Sequence, residues 1–331
     1  MAVLDGYGST SAFSFCRGIE MKERYRELCR HRATIPLYMQ DWWLDIVCGQ
    51  DRWQAFVHEA EGLPLGVMPC YQPVRGHISM PPFTQFLGSH ILVDRDVVPA
   101  SFRERRQVHD ALRAMLPAHR SFMVQYSTAF TDWLPYYWQG YGQTTRYTYR
   151  IDLSAGFDAV CAGIRPDAMK KIRKAERDGL CLVSASVDDL LRLCHISMSR
   201  QDAKGLASAL LARLAEASVA RGVGEIVGCE DAAGQLLAAV FLVHDHDTAY
   251  TIASGQIRDG QGRNAGAYAL YQAILIAGRT EGIHTFDFEG SMLEGVEGFF
   301  RSFGGVQTPY FRLTKGRLGL WARLIRKCRT R

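Results

Sequence analysis

The chain has no uninterrupted apolar stretch approaching the roughly 20 residues that a bilayer-spanning helix needs, so no transmembrane segment is expected. Its first twenty residues, MAVLDGYGSTSAFSFCRGIE, lack a cationic start followed by an apolar run, and no secretory signal is read there. Ordered cysteine spacing is missing too. Nine cysteines (Cys16, Cys29, Cys48, Cys70, Cys161, Cys181, Cys194, Cys229 and Cys328) are scattered, with no CxxC pair and no His/Cys cluster. That pattern argues against a disulfide framework and against a metal site, and points to the reducing cytoplasm. No tract is dominated by one residue type and no short-period repeat is visible, which argues against fibrous, disordered and solenoid architectures.

What is present suits a globular protein: 331 residues, 47% hydrophobic and 22% charged, long enough for two domains with their own cores. The net charge of +5 is unevenly placed. Arg165, Lys170, Lys171, Arg173, Lys174 and Arg177 crowd one short segment. Lys315, Arg317, Arg323, Arg326, Lys327, Arg329 and Arg331 fill the tail. Two such clusters suit a phosphate-bearing partner such as nucleic acid, a nucleotide or a lipid headgroup, against the plain alternative of solvated surface.

Along the first half, Trp53–Val57 and Leu65–Tyr71 read as a hairpin turning near Gly62, followed by a loop from Pro73 to Gly88. A helix is predicted over Phe102–Leu116 and a strand over Phe122–Tyr126. Thr144 to Leu153 alternates as a strand, and a domain boundary is placed near Tyr149. The second half is more regular. A helix begins at Ile164, with Pro166 and Asp167 suited to its first turn, and Gly179 stops it. Leu180–Ser184 is a strand, and Val187–Met198 and Gly205–Arg221 are helices. A meander follows over Val223–Glu230, Leu236–His244 and Thr248–Ser254, then a helix over Ala265–Glu281 and a strand over Thr285–Phe288.

The final strand–helix–strand order is a crossover unit, which gives parallel strands whose ligands bind beyond the carboxyl ends. Two segments lie there: Ser254 to Gly266, rich in glycine and opening a helix, and Glu289-Gly290-Ser291. Backbone N–H groups of the first suit a phosphate or pyrophosphate. That loop resembles the pyrophosphate loop of the N-acetyltransferase (GNAT) superfamily, Q/R-x-x-G-x-G/A. Arg263 and Gly266 match its first two fixed positions, and Tyr268 stands at the last.

Three further blocks resemble the Fem peptidoglycan aminoacyltransferases and the broader Fem-like acetyltransferases. YYWQGYGQTTRYTYRIDL (Tyr136–Leu153) is similar to the family's W-x-G-F…Y-T-Y segment. IRPDAMKKIRKAERDGL (Ile164–Leu180) is similar to its R-x-x-I-x-K-A-x-x-x-G helix. FDFEGSMLEGVEGFFRSFGG (Phe286–Gly305) is similar to its D-F-x-G…F-K-x-x-F-G ending, with Phe300-Arg301 at the F-K pair. In order and spacing they span about half the chain, and IPLYMQDWWLDIVCG and PPFTQFLG fit the broader group.

The resemblance implies an α/β protein of two tandem GNAT-like domains, with mixed central sheets flanked by helices. The N-terminal, degenerate domain would cover residues 1–149, with 315–331 returning to pack on it, and the C-terminal domain, 150–314, would carry the donor site. It implies an acyltransferase whose donor substrate is acyl-CoA or an aminoacyl-tRNA, with no tightly bound cofactor. The acceptor would be the amine of a small molecule or a cell-wall precursor. A tRNA is a candidate partner; DNA is not.

Roles follow from the chemistry, which needs a route for the amine proton and a cation near the developing oxyanion. Arg301 is the candidate cation, with Phe300 beside it, and Glu289 the candidate proton acceptor. The plain alternative for each charge is a surface ion pair. Asp287, two residues before Glu289 and on the same strand face, reads as a buried structural residue, and Ser291 as a cap. Arg165, Lys170 and Arg173 are the candidate phosphate contacts, alongside Arg263 and Gly266, with Met169 and Ile172 facing the core.

His244-Asp245-His246-Asp247 reads as a turn. Trp42, Trp43, Tyr136, Tyr137 and Trp138 read as packing aromatics, and Cys194 beside His195 lacks a third orienting group for a nucleophile. The rival class is a non-catalytic nucleotide- or membrane-binding module, whose tail LGLWARLIRKCRTR suits peripheral contact with an anionic surface.

Overall fold

In the computed structural model, residues 9–92, 101–200, 207–258, 263–290, 292 and 294–316 are described. The chain forms two compact units. One comprises the described residues up to Thr145 together with those from Tyr310; the other runs from Arg146 to Pro309.

The first unit opens with helices α1 (Ser9–His31) and α2 (Asp41–Cys48), which the sequence reading left unassigned. The hairpin follows as β1 (Trp53–Ala60) and β2 (Leu63–Val74), paired Trp53 to Tyr71 through Ala60 to Leu63. The predicted loop from Pro73 is corrected at its start. β2 runs on to Val74, and Gly76 (φ +79°) turns the chain into β3 (His77–Ser79). Pro73 is tolerated because the β2–β3 register slips between Tyr71 and Val74, where no ladder N–H is required of it. A short β4 (His90–Ile91) pairs with β2.

Helix α3 (Phe102–Ala114) starts on a capping box in which the Ser101 hydroxyl accepts the Glu104 N–H and the Glu104 carboxylate accepts the Ser101 N–H. It crosses to β5 (Ser121–Gln125), parallel to β3. Then come α4 (Leu134–Trp138), the start of β6 (Gly142–Asp152) and, from the far end of the chain, the last part of β12 (Val306–Lys315). The sheet order is β1-β2-β3-β5-β12, mixed in direction. Its core is aromatic. Trp43, Phe122, Tyr126 and Tyr136 are fully buried, and the Tyr126 hydroxyl meets that of Tyr136 at 2.7 Å.

The second unit is built from the end of β6, α5 (Phe157–Gly163), α6 (Pro166–Arg177), β7 (Cys181–Ser184), α7 (Val187–Arg200) and α8 (Ser208–Ala220). The meander is β8 (Gly224–Glu230), β9 (Leu236–His244) and β10 (Thr248–Gln256). Helix α9 (Ala265–Arg279), β11 (Thr285–Asp287) and α10 (Glu294–Ser302) complete it. The order β6-β11-β10-β9-β8-β7 is antiparallel except for β10 and β11, which are parallel as the crossover order requires. Leu270, Ile274 and Ala277 of α9 enter one core with Ala168, Ile172 and Ala175 of α6 and with Val240 and Phe286 of the sheet. Gly179, at φ +80°, ends α6 in the left-handed conformation, and the Leu180 N–H bonds back to the Ala175 carbonyl at 3.1 Å.

Both units are thus α/β layers on mixed sheets. Among the described residues no helix is long and apolar enough to cross a membrane. The predicted return of 315–331 and the tail LGLWARLIRKCRTR lie outside the described residues from position 317 on, as do Ser291 and the predicted helix start at Gly205.

Candidate active site

The site follows from a short pairing. β11 meets β10 from Thr248–Thr285 to Tyr250–Asp287, whereas β10 runs on to Gln256 with β9 as its only strand partner among the described residues. The departing chain bends toward β6: the Phe288 N–H bonds to the Tyr149 carbonyl at 3.0 Å. Glu289 (φ 60°) and Gly290 (φ 62°) then turn through left-handed conformations. From Thr251 to Gly255 the edge of β10 therefore has no strand partner among the described residues on the side that β11 has left, while at Gln256 the Ser197 hydroxyl accepts the N–H at 2.9 Å and lies 3.2 Å from the carbonyl. The Thr251 hydroxyl is buried there without a hydrogen-bond partner among the described residues.

Asp287 holds this bend. Fully buried, it accepts the Thr148 hydroxyl at 2.5 Å and the Glu289 N–H at 2.8 Å on the same oxygen. Its other oxygen lies 3.4 Å from Nε of Arg150. Asp287 is the buried, hydrogen-bonded residue expected of it. The alternation argument that set Glu289 on its strand face does not apply, because β11 ends at Asp287 and Glu289 is left-handed. Glu289 itself is partly buried at the bend.

Phe300 stacks on Phe288 at 4.9 Å with 23° between the rings, which ties α10 to the residue before Glu289. Arg301, next along, is exposed and 3.3 Å from the Glu297 carboxylate. That carboxylate accepts the Tyr149 hydroxyl at 2.9 Å, and Gln307 Nε2 donates to the same hydroxyl at 2.9 Å. Burial and the Glu297 carboxylate push the Tyr149 phenol above its usual value against the hydrogen bond from Gln307, so it stays protonated and donates. Sequence reasoning missed Tyr149, Glu297 and Gln307 as a group. The Glu297–Arg301 spacing of i, i+4 on a helix was the one readable signal.

The basic candidates gather on α6. Arg165 is its N-cap, with its N–H on the Ser302 carbonyl at 2.9 Å and its side chain 3.2 Å from Asp167. Lys170 and Arg173 line a cleft of about 450 Å³ with Arg177, Pro166, Met169 and Ile164. Ile172 faces the core, and Met169 is half-buried against it.

At the start of α9 the two loop candidates are already engaged. Arg263 Nη1 lies 2.5 Å from Asp231, whose carboxylate also accepts the N–H groups of Ala233 and Gln235. The Gly266 N–H donates to Gln256 Oε1 at 3.2 Å, and a Cβ at Gly266 would lie 2.7 Å from that oxygen. Residues 259–262 of this loop lie outside the described residues.

The remaining readings resolve simply. Asp245 accepts the N–H groups of Asp247 and Thr248, making His244–Asp247 a turn, and no group of metal-ligating residues occurs among the described residues. Burial pushes the Cys194 thiol up to about 12, unsuited to a nucleophile. Trp43 and Tyr136 are core, but Tyr137 and Trp138 are exposed. The packing expectation fails for that pair because the short α4 buries only Pro135 and Tyr136.

Comparison with known proteins bears on the fold. Residues 163–301, from the end of α5 to α10, match the acetyltransferase (GNAT) domain family. No curated protein matches by sequence. Among solved structures the chain is similar to FemX (TM-score 0.64, 12% identity, covering 88% of this chain and 95% of that one). It is also similar to L-PGS from Bacillus licheniformis (TM-score 0.54, 12% identity, 93% and 97% covered). A third likeness is to the C-terminal domain of a putative lysylphosphatidylglycerol synthetase from Agrobacterium fabrum (TM-score 0.53, 13% identity, 95% and 96% covered). Residues 163–301 thus match the acetyltransferase (GNAT) domain family, in a chain whose α/β fold is similar to that of FemX.

Proposed function

We propose that the protein is an N-acyltransferase that passes an acyl or aminoacyl group from an activated donor to an amine by direct attack. The observation that carries this reading is the open edge of β10 beyond Tyr250, opposite the left-handed turn at Glu289. A carbonyl lying along that edge between Thr251 and Gly255 finds backbone groups with no strand partner among the described residues, and the buried Thr251 hydroxyl beside them. The amine nitrogen attacks the carbonyl carbon, and its proton passes to the Glu289 carboxylate. The tetrahedral oxyanion is stabilised by Arg301, which Glu297 and Tyr149 hold in place. Collapse expels the thiolate or ribose oxygen of the donor. Phe300 acts through packing, fixing α10 against the strand end.

Two features bear on the donor. Lys170, Arg173 and Arg177 line an open cleft suited to phosphates, with Arg165 at the head of the same helix. The Gly266 N–H and the Arg263 guanidinium, by contrast, are taken by Gln256 and Asp231. This balance favours an aminoacyl-tRNA over acyl-CoA. The Fem resemblance points the same way, and to a small-molecule or cell-wall-precursor amine as acceptor.

The test offers the full chain acyl-CoA donors and charged tRNAs with a set of primary amines, reading thiol release and tRNA deacylation. Amine-dependent consumption of one donor class is expected. Glu289→Gln and Arg301→Ala are expected to lower kcat by about a hundredfold or more with the melting temperature unchanged. Donor binding without turnover would make the protein a binding module instead, and full activity in both variants would remove these residues from the mechanism.

A further inference from the structure

The first unit has its own strand–helix–strand crossover. β3 and β5 are parallel, α3 joins them, and the segments after their carboxyl ends carry Ser89 and Asp132. A cavity of about 360 Å³ lies between these segments and α3, at the small end of the range for ligand pockets. None of the acyl-transfer candidates lines it.

Its chemistry is divided. The inner part is neutral: Ser89, almost fully buried, meets Nδ1 of His109 at 2.7 Å, and the His109 ring stands edge-on to Phe130 at 5.0 Å. Burial holds His109 down at about 4, so at neutral pH it offers hydrogen bonds rather than charge. The rim is cationic. Asp132 takes the Nε–H of Arg106 at 2.6 Å, and the guanidinium lies over the Phe102 ring at 4.7 Å and the Trp138 ring at 5.4 Å. These contacts fix the plane of Arg106 and leave its Nη edge for a ligand. Arg105 adds a second cation with no ion pair among the described residues. Two cations against one carboxylate favour an anionic head, and Phe102, Phe130 and Ile91 favour an apolar body.

We infer that this cavity is a second binding site, for a small organic anion: a carboxylate or phosphate monoester carrying an aromatic or branched apolar group. The paired guanidinium of Arg106 and the exposed one of Arg105 receive the anion, and the neutral Ser89–His109 pair lines the apolar end.

Calorimetric titration of the full chain with 3-phenylpropionate, phenyl phosphate and neutral 3-phenylpropanol tests this without any turnover readout, so its outcome is independent of the acyl-transfer reading. Saturable one-to-one binding of at least one anion is expected, with the alcohol at least about tenfold weaker. Whichever anion binds more tightly identifies the head group. Arg105→Ala and Arg106→Lys should each weaken the anion about tenfold and leave the alcohol unchanged. Both variants should keep the wild-type melting temperature, because Arg105 is exposed and lysine retains the charge facing Asp132. The inference is overturned if no anion saturates, if the alcohol binds as tightly as the anions, or if both variants bind like wild type.

Discussion

At the scale of single residues, the bend at the end of β11 depends on Gly290. Its φ is +62°, and a Cβ there would lie 2.3 Å from the Tyr147 carbonyl oxygen. Gly290→Ala therefore meets strain and a backbone clash together. It should destabilise the protein by about 1–3 kcal/mol in urea unfolding, and lower kcat because Glu289 rides on the same turn. The presence of Glu289 and Asp287 near a strand end was legible from the sequence. Their relation was not, because a left-handed backbone at Glu289 is dictated by Asp287 and Thr148 from another strand.

His109 gives a second residue-level outcome. Its folded value, about 4, lies below the ordinary histidine value, mainly through burial, with Asp132 and Asp110 opposing and Arg105 assisting. Between about pH 6.5 and 4 the unfolded chain binds the proton that the folded one refuses, so this contribution is complete above about 6.5 and is lost as pH falls. Urea unfolding at pH 7 and pH 4.5 should show wild type losing on the order of 2 kcal/mol more than His109→Gln. An equal loss in both proteins would show that His109 is not held neutral.

At the scale of elements, the crossover of β10, α9 and β11 was readable because each piece carries its own period, alternation for strands and a three-to-four repeat for the helix. That the parallel strands part at their ends was expected; the point at which they part was not readable. It arises because β11 pairs with β10 and β6 only over Thr285–Asp287, and strand length is set by partners rather than by composition. α1 escaped notice for a related reason: its buried positions, Tyr25 and Leu28, are separated by charged residues that pair along or beyond the helix, as Arg24 does with Glu27 and Glu59.

Asp287 joins β11 to Thr148 and Arg150 of β6, so its removal tests an element junction. Asp287→Ala should cost roughly 3 kcal/mol or more, since Arg150 is left facing a buried void. Asp287→Asn, which keeps an oxygen for the Thr148 hydroxyl and the Glu289 N–H, should cost about 1–2 kcal/mol. Equal costs for the two would assign the stability to the charge facing Arg150 rather than to shape or the retained acceptor.

At the scale of the whole molecule, a chain with 39 basic and 34 acidic residues has little net field, so any long-range attraction must come from local clustering. The cluster on α6 was visible in the sequence as charge density. The structure adds that Lys170, Arg173 and Arg177 line one cleft, because Ala168, Ile172 and Ala175 take the opposite face into the core. If this cleft holds the phosphates of an RNA donor, binding must release counterions, and affinity must fall as a power of salt concentration. Each cation that contacts a phosphate contributes about one unit to that slope. The triple variant Lys170→Gln, Arg173→Gln, Arg177→Gln should therefore bind charged tRNA more weakly at low salt, with a slope of log affinity against log salt lower by about 2–3. The side chains lie on an exposed face, so melting should be unaffected. An unchanged slope together with an unchanged KM for tRNA would move the donor off α6. A loss of acyl-CoA affinity in the same variant would assign the cleft to the phosphates of the coenzyme instead.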